Sequence, residues 1–363
     1  MLNVNPSYGQ HSNLYFNNET IPSESGFQQG CPLGPAGFCI SIKKLIDFLS
    51  SKLNGWYLDD GNVGGNLEST LIDINKIIEY EHESGLVLNA SKCEVFIFNC
   101  NQETKTSIYE KISNVLPGVK LLNEVDLLGA PISNSLIPTY LNKKKECVEL
   151  MCDRLKKLDI HPALCLLRCC MSSPKLIYLL RTCPSFLYPN DLSEIDELFR
   201  LTLENISNTR INGNIWDQAS LPMKYGGIGI RKTTDLAIPA YFSSLYKSRE
   251  ICSAILKDLN IDIFNNNTTQ ILNEMDTHFI PDNDENKKIQ KEWDNLKSKK
   301  VFEDLMSSEN RSGRARLLAS SQAESSKWLQ VVPSPQLGLF MDNNTIRIAT
   351  ALRLGSRVCE QHL

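Results

Sequence analysis

Trp56-Tyr57-Leu58-Asp59-Asp60-Gly61 is the stretch whose reading decides the rest of the chain. Its apolar, aromatic-rich start has the residue types of a strand. It ends in two adjacent carboxylates, and Asp60-Gly61 is a tight-turn dipeptide. Asp59 and Asp60 are therefore expected at the tip of a hairpin. A hard dication such as Mg²⁺ takes oxygen ligands and is held by one or two carboxylates plus substrate phosphates, so the tip is a candidate metal site. The same six residues also read as a solvated Asp-Asp-Gly turn, because Asp and Gly are ordinary turn residues.

Working outward, Gly26-Phe27-Gln28-Gln29-Gly30-Cys31-Pro32-Leu33-Gly34-Pro35 lies upstream. Gly85-Leu86-Val87-Leu88-Asn89-Ala90-Ser91-Lys92-Cys93 and then Leu127-Leu128-Gly129-Ala130-Pro131 lie downstream. These four stretches, in this order, resemble successive palm motifs of reverse transcriptases, above all those of non-LTR retrotransposons and related retroelements. Gln29 to Pro35 looks like motif B, Tyr57 to Asp60 like motif C, Gly85 to Cys93 like motif D, and Leu127 to Gly129 like motif E.

The resemblance implies an α+β fold: a partial polymerase palm, with an antiparallel sheet plus helices, then a helical thumb and a helical C-terminal region. It implies RNA-templated addition of dNTPs to a DNA primer with Mg²⁺ as cofactor. Asp59 and Asp60 would be metal ligands, Asp59 first. Gln29 and Gly30, with Gln28 behind them, would meet the nucleotide and template. Lys92 would approach the triphosphate, neutralising charge or protonating the leaving pyrophosphate. Leu128 and Gly129 would touch the primer. Each has a bland counterpart: a glycine turn capping a core helix for Gln29 and Gly30, and a surface lysine at a strand start for Lys92. Asn89 is expected to fix its turn.

Two-metal catalysis needs carboxylates that bridge both ions. In the resembled family these come from motifs A and C together, and the chain has no Asp or Glu before Glu19. The expectation is a C-terminal portion of a reverse transcriptase, incomplete for catalysis as it stands. The alternative is a non-catalytic or domesticated nucleic-acid-binding protein. A fingers-containing chain acting in trans is a third expectation.

The 363 residues carry a net charge of −4, so a surface that binds phosphates must be local. The twelve cysteines are scattered and follow no signal peptide, which suits a reduced intracellular compartment, cytoplasmic or nuclear. No apolar run is expected to span a membrane, since Arg168 interrupts the most apolar candidate, Ala163–Met171.

In chain order, Leu14-Tyr15-Phe16 and Thr20-Ile21 around Asn17-Asn18 read as a small hairpin. Pro35–Lys52 reads as an amphipathic helix through Phe38, Ile42, Leu45 and Leu49. Leu67, Leu71, Ile74 and Ile78 stripe a second helix, with His82 on its solvated face. Cys93–Phe98 and Val125–Ile132 read as strands, and Asn101–Pro117 as an insertion or connecting helix. Between Thr139 and Arg181 nine Lys/Arg face four acids. There Leu141, Val148, Cys152, Leu155 and Leu158 share a helical face, which suits a thumb gripping the duplex backbone. Leu187–Asn208 and Thr233–Lys247 read as helices, and the glycines of Tyr225 to Ile230 as a tight turn, for they lack the Lys-Ser/Thr of a phosphate loop. Expected boundaries are a palm over 1–132, thumb and post-thumb over 133–250, a polar linker with a charged helix over 251–309, and a C-terminal segment over 310–363. Cys359 and His362 supply two of the four ligands of a structural zinc site, so no bound metal is expected there.

Overall fold

A computed structural model of the chain describes residues 12–23, 27, 30–255 and 266–356. Gln28, Gln29, Cys359 and His362 lie outside the described residues. The chain is mostly helical with a few small strand pairs, an α+β arrangement, in two units that divide between Asn123 and Glu124.

The first unit opens with the expected hairpin, β1 (Ser12–Phe16) and β2 (Glu19–Ser23). Asn17 and Asn18 both take positive φ, +47° and +63°, as a type I′ turn requires. Helix α1 (Gly34–Phe48) starts with Pro35 in its first turn and buries Ile42 and Leu45. It stops at Phe48 rather than Lys52. The backbone N–H groups of Ser50 and Ser51 donate instead to the fully buried Asp73 carboxylate, at 2.8 and 2.7 Å. That turns the chain into β3 (Leu53–Tyr57) and β4 (Asp60–Gly64).

Helix α2 (Leu67–Ser84) is capped by Asn66, which accepts from the Ser69 N–H, and ends at Gly85 with φ +70°. Its stripe of Leu67, Leu71, Ile74 and Ile78 packs on Ile112, Leu116 and Val119. Strand β5 (Glu94–Phe96), shorter than expected, pairs in parallel with β6 (Lys120–Leu122). Helix α3 (Gln102–Val115) is the crossover such a pair requires. Of the two expectations for residues 101–117, the connecting helix holds, and Ile112 and Leu116 form the buried centre of the unit.

The expected antiparallel sheet does not form among the described residues. β1–β2 and β3–β4 are separate antiparallel pairs, and the β5–β6 pair is parallel. Strands of three to five residues standing in isolated pairs leave open edges.

The second unit begins with β7 (Asp126–Leu127) and β8 (Ala130–Pro131), a minimal hairpin where a single strand was expected. Leu128 and Gly129 break the run, with φ +50° and +77°. Helix α4 (Ile137–Leu155) buries Ile137, Leu141, Val148, Cys152 and Leu155, the expected face, while Leu158 lies beyond its end and is exposed. Helix α5 (Ile160–Leu166) runs through a π-helical turn, Leu167–Met171, toward α6 (Ser173–Thr182). The joined run, Ile160–Thr182, is long and apolar enough by composition to cross a membrane, contrary to expectation. Its residues Ile160, Leu164, Leu167, Leu176, Leu179 and Leu180 sit in the helical core.

Helix α7 (Pro189–Ser207) lies in the same core. Its Asp196 is buried and accepts from the N–H and hydroxyl groups of Thr233 and Thr234, far along the chain. Burial pushes that carboxyl up against these four donors. Helix α8 (Gly213–Ser220) leads into the glycine-rich turn, and α9 (Thr233–Ile255) runs past the expected Lys247.

The turn is a packed junction. A Cβ on Gly227 would lie 1.9 Å from the Leu221 carbonyl oxygen, and Ile228 and Ile230 are fully buried. After the short helices α10 (Asn266–Glu274) and α11 (Asp284–Lys287), α12 (Gln290–Ser308) stacks Trp293 on Phe242 of α9. Trp293 is 1% exposed, so this part of the expected linker is packed into the unit.

Helices α13 (Arg311–Ser320) and α14 (Asn343–Leu354) close the unit. Arg353 of α14 is buried and donates to the carbonyl oxygens of Gly227, Ser325 and Met223, at 3.0, 3.1 and 3.1 Å. Burial lowers its guanidinium to about 10.

Candidate functional site

The β3–β4 ladder pairs Tyr57 with Asp60 and Trp56 with Gly61. The two turn residues are therefore Leu58 and Asp59, two positions before the Asp60-Gly61 dipeptide that suggested the turn. Leu58 carries φ +55°. That is the first central position of a tight hairpin, where a positive φ normally calls for glycine. Gly61 has a different reason to be glycine: a Cβ there would lie 2.5 Å from the Trp56 ring across the ladder. The indole N–H of Trp56 donates to Asn54 Oδ1 at 2.8 Å, and Asn54 Nδ2 donates to the Ile46 carbonyl at 3.0 Å. The tip is thus braced from its own base.

Asp59 in the turn and Asp60 at the start of β4 are both exposed and carry no cationic partner among the described residues. Two free carboxylates on a rigid tip suit one Mg²⁺ whose remaining ligands are waters and phosphates. A bridging pair of ions needs more. Among the described residues no three His, Cys, Asp or Glu side chains come together as ligands.

Gly30 takes φ +88°, and nothing lies within 4 Å of where its Cβ would be, so the glycine is there for its conformation on an open surface. Its neighbour Gln29 is outside the described residues, as is Gln28. One contact of this loop escapes a motif reading. The Phe27 ring covers Gly37 of α1 so closely that a Cβ at Gly37 would sit 1.9 Å from it.

Lys92 ends the 3-10 turn Ala90–Lys92 before β5 and is exposed, with no partner among the described residues. Asn89 fixes that turn: its Oδ1 accepts from Ser91 Oγ at 2.7 Å and its carbonyl from the Lys92 N–H at 3.0 Å. Asp59 and Asp60 therefore share one hairpin, and Lys92 stands on a 3-10 turn outside it.

Leu128 and Gly129 form the tip of the β7–β8 hairpin, with Leu128 45% exposed. Tyr178 of α6 donates its hydroxyl to the Leu128 carbonyl at 2.6 Å. Tyr140 of α4 bonds Asp126 at the hairpin base; that carboxylate, aided by burial, pushes the phenol up to about 12. Lys143 lies 5.3 Å from the Tyr140 ring centre. Neither tyrosine stands out in the sequence, since nothing in the motif points across nearly fifty residues to Tyr178.

The basic region splits in two. Lys145 pairs with Glu194 and Lys156 with Asp153. Lys143, Arg154 and Lys157 have no acidic partner among the described residues and lie with Cys147 and Leu150 along one exposed row of α4 and its end. That row suits sequence-independent contact with a phosphate backbone.

Compared with known protein families and with curated proteins, the chain matches none.

Proposed function

We propose that the chain is a C-terminal portion of a retroelement reverse transcriptase, whose intact form adds dNTPs to a primer on an RNA template by two-metal catalysis. The observation that carries this is the pair of unpaired carboxylates, Asp59 and Asp60, on a braced hairpin tip with a strained Leu58. Strain of that kind persists where surrounding structure holds it, and it collects at functional sites. In sequence order, the motif residues Gly30, Lys92, Leu128 and Gly129 accompany the tip. When bound, Mg²⁺ would supply charge stabilisation at the attacking and leaving oxygens. Asp59 and Asp60 would hold it, and Lys92 would carry a cation toward the leaving group.

A second reading is favoured by a specific observation: no third acidic side chain joins the pair among the described residues. On that reading the chain binds nucleic acid through the α4 row without polymerising. RNA-templated primer extension with Mg²⁺, run on the chain and on Asp59→Ala, separates the two. Extension that Asp59→Ala abolishes supports the polymerase. Template–primer binding with no extension in either protein supports the binding reading.

A further inference from the structure

The chain crosses from α5 toward α6 through the π-helical turn Leu167–Met171, where the Ser172 N–H reaches back five residues to the Leu167 carbonyl at 3.0 Å. Single π turns inside helices are frequent at functional sites. Three free cysteines lie at this turn: Cys165 half-buried, Cys169 and Cys170 exposed. Residues four apart on a helix are surface neighbours, so Cys165 and Cys169 share one row. Their side chains meet there as hydrogen-bond partners. Burial pushes the Cys165 thiol up, the charge and hydrogen bond of Cys169 push it further, and Arg168 opposes them.

Arg168 singles out Cys169. Its Nη2 donates to Cys169 Sγ at 3.6 Å and its Nη1 to Met223 Sδ at 3.7 Å. No carboxylate pairs with this guanidinium among the described residues. Reactive cysteines sit in electropositive, partly exposed surroundings, because the thiolate is the nucleophile. Cys169 has both the cation and the exposure, while burial keeps the proton on its neighbour Cys165. Cys39 and Cys100 of the first unit are exposed too, but no cation bonds their sulfurs among the described residues.

We propose that Cys169 and Cys165 form a peroxide-reactive redox site, with Cys169 as the attacking thiol and Cys165 as the resolving one. The Cys169 thiolate attacks one oxygen of hydrogen peroxide. The O–O bond breaks, the sulfur is oxidised to a sulfenic acid, and the departing hydroxide takes a proton and leaves as water. The Cys165 sulfur then attacks the Cys169 sulfur. An S–S bond forms, the S–O bond breaks, and hydroxide leaves as water with the Cys165 proton. Two thiols and a peroxide thus become a disulfide and two waters. Cβ atoms four residues apart on a helix lie about 5–6 Å from each other, whereas a disulfide holds them at about 3.5–4.5 Å. The link therefore tightens the turn, and strained links of this kind are readily reduced again. The site does not depend on polymerase activity.

The test is oxidation of the full, reduced chain with equimolar hydrogen peroxide, then alkylation, tryptic digestion and mass spectrometry. Trypsin cuts after Arg168, so residues 158–168 and 169–175 emerge joined only when Cys165 has bonded to Cys169 or Cys170. This joined pair is expected to be the first disulfide to accumulate and to be reversed by dithiothreitol. It should survive Cys170→Ser and vanish in Cys169→Ser. In Cys165→Ser, dimedone should trap Cys169 as the sulfenic acid. Arg168→Gln should slow the first step about fivefold or more, with an unchanged circular dichroism spectrum. No joined pair, a pair that persists in Cys169→Ser, an unchanged rate in Arg168→Gln, or a Cys169 that reacts no faster than Cys39 and Cys100 overturns the proposal.

Discussion

Replacing Asp73 by Ala should loosen the β3–β4 hairpin that carries Asp59 and Asp60, although Asp73 touches neither. Its carboxylate has no solvent exposure. It accepts the Ser50 and Ser51 N–H groups at 2.8 and 2.7 Å, the Ser50 hydroxyl at 3.1 Å and Lys76 Nζ at 3.1 Å. Burial pushes its pKa up, but hydrogen bonds from Ser51, Lys76 and Ser50 outweigh that and hold the carboxyl at about 2, against an ordinary 3.8. Such a lowering corresponds to about 2.5 kcal/mol favouring the folded carboxylate. Removing the acceptor also strands the buried Ser51 N–H, a loss of about 1–3 kcal/mol by itself. A loss of about 2–3 kcal/mol is expected overall, because the two figures describe overlapping bonds. Amide hydrogen exchange across residues 50–57 reads it directly, with protection falling roughly 30-fold or more. The sign with pH follows from a lowered carboxyl. The stabilisation is fully present above about pH 4 and is lost as pH falls toward 2. The Ala variant should show no such acid loss. Unchanged protection in Asp73→Ala, or an equally steep acid loss in both proteins, refutes the reasoning.

Substitutions at three further positions probe other joints. Gly227→Ala should cost more than about 4 kcal/mol or prevent folding of the second unit, since the new Cβ meets the backbone oxygens of Leu221 and Gln218 at 1.9 and 2.7 Å; urea unfolding followed by circular dichroism measures it. Arg353→Lys should destabilise by about 2–4 kcal/mol, because one ammonium cannot reach the three carbonyls that the guanidinium spans; the same unfolding curve reads it. Leu58→Gly should leave hairpin stability level or raise it by up to about 1 kcal/mol, while Leu58→Val lowers it by about as much, since φ +55° strains a β-branched residue most; exchange protection of residues 53–64 separates the two.

What the sequence discloses and what it hides divide by distance along the chain. The α2 stripe, the buried face of α4 and the Asn17-Asn18 hairpin all rest on neighbours within one or two turns, so period and turn chemistry suffice. Helix α3 read as an insertion or a connecting helix because polar residues surround Ile108, Ile112 and Leu116, and only α2 and β6 reveal that this row is a core. Trp293 in a charged stretch became a core residue because Phe242 lies against it. The hairpin turn shows the same limit at short range. Asp60-Gly61 has better turn chemistry than Leu58-Asp59, yet the Trp56 ring claims the space over Gly61 and sets the register.

Three aspartates make the point for the candidate site. Asp59, Asp73 and Asp196 are one residue type, each preceded by an apolar neighbour in the sequence. The reading of Asp59 rests on the residues beside it. Asp73 and Asp196 each bind two consecutive backbone N–H groups, across 22 to 23 and 37 to 38 residues, and no local pattern announces that. Their charges respond in opposite directions: a nearby Lys76 and several donors hold Asp73 down, whereas deep burial without a cation pushes Asp196 up. A free, exposed carboxylate pair and a buried, donor-saturated carboxylate are different chemical objects, although the sequence writes both as aspartate.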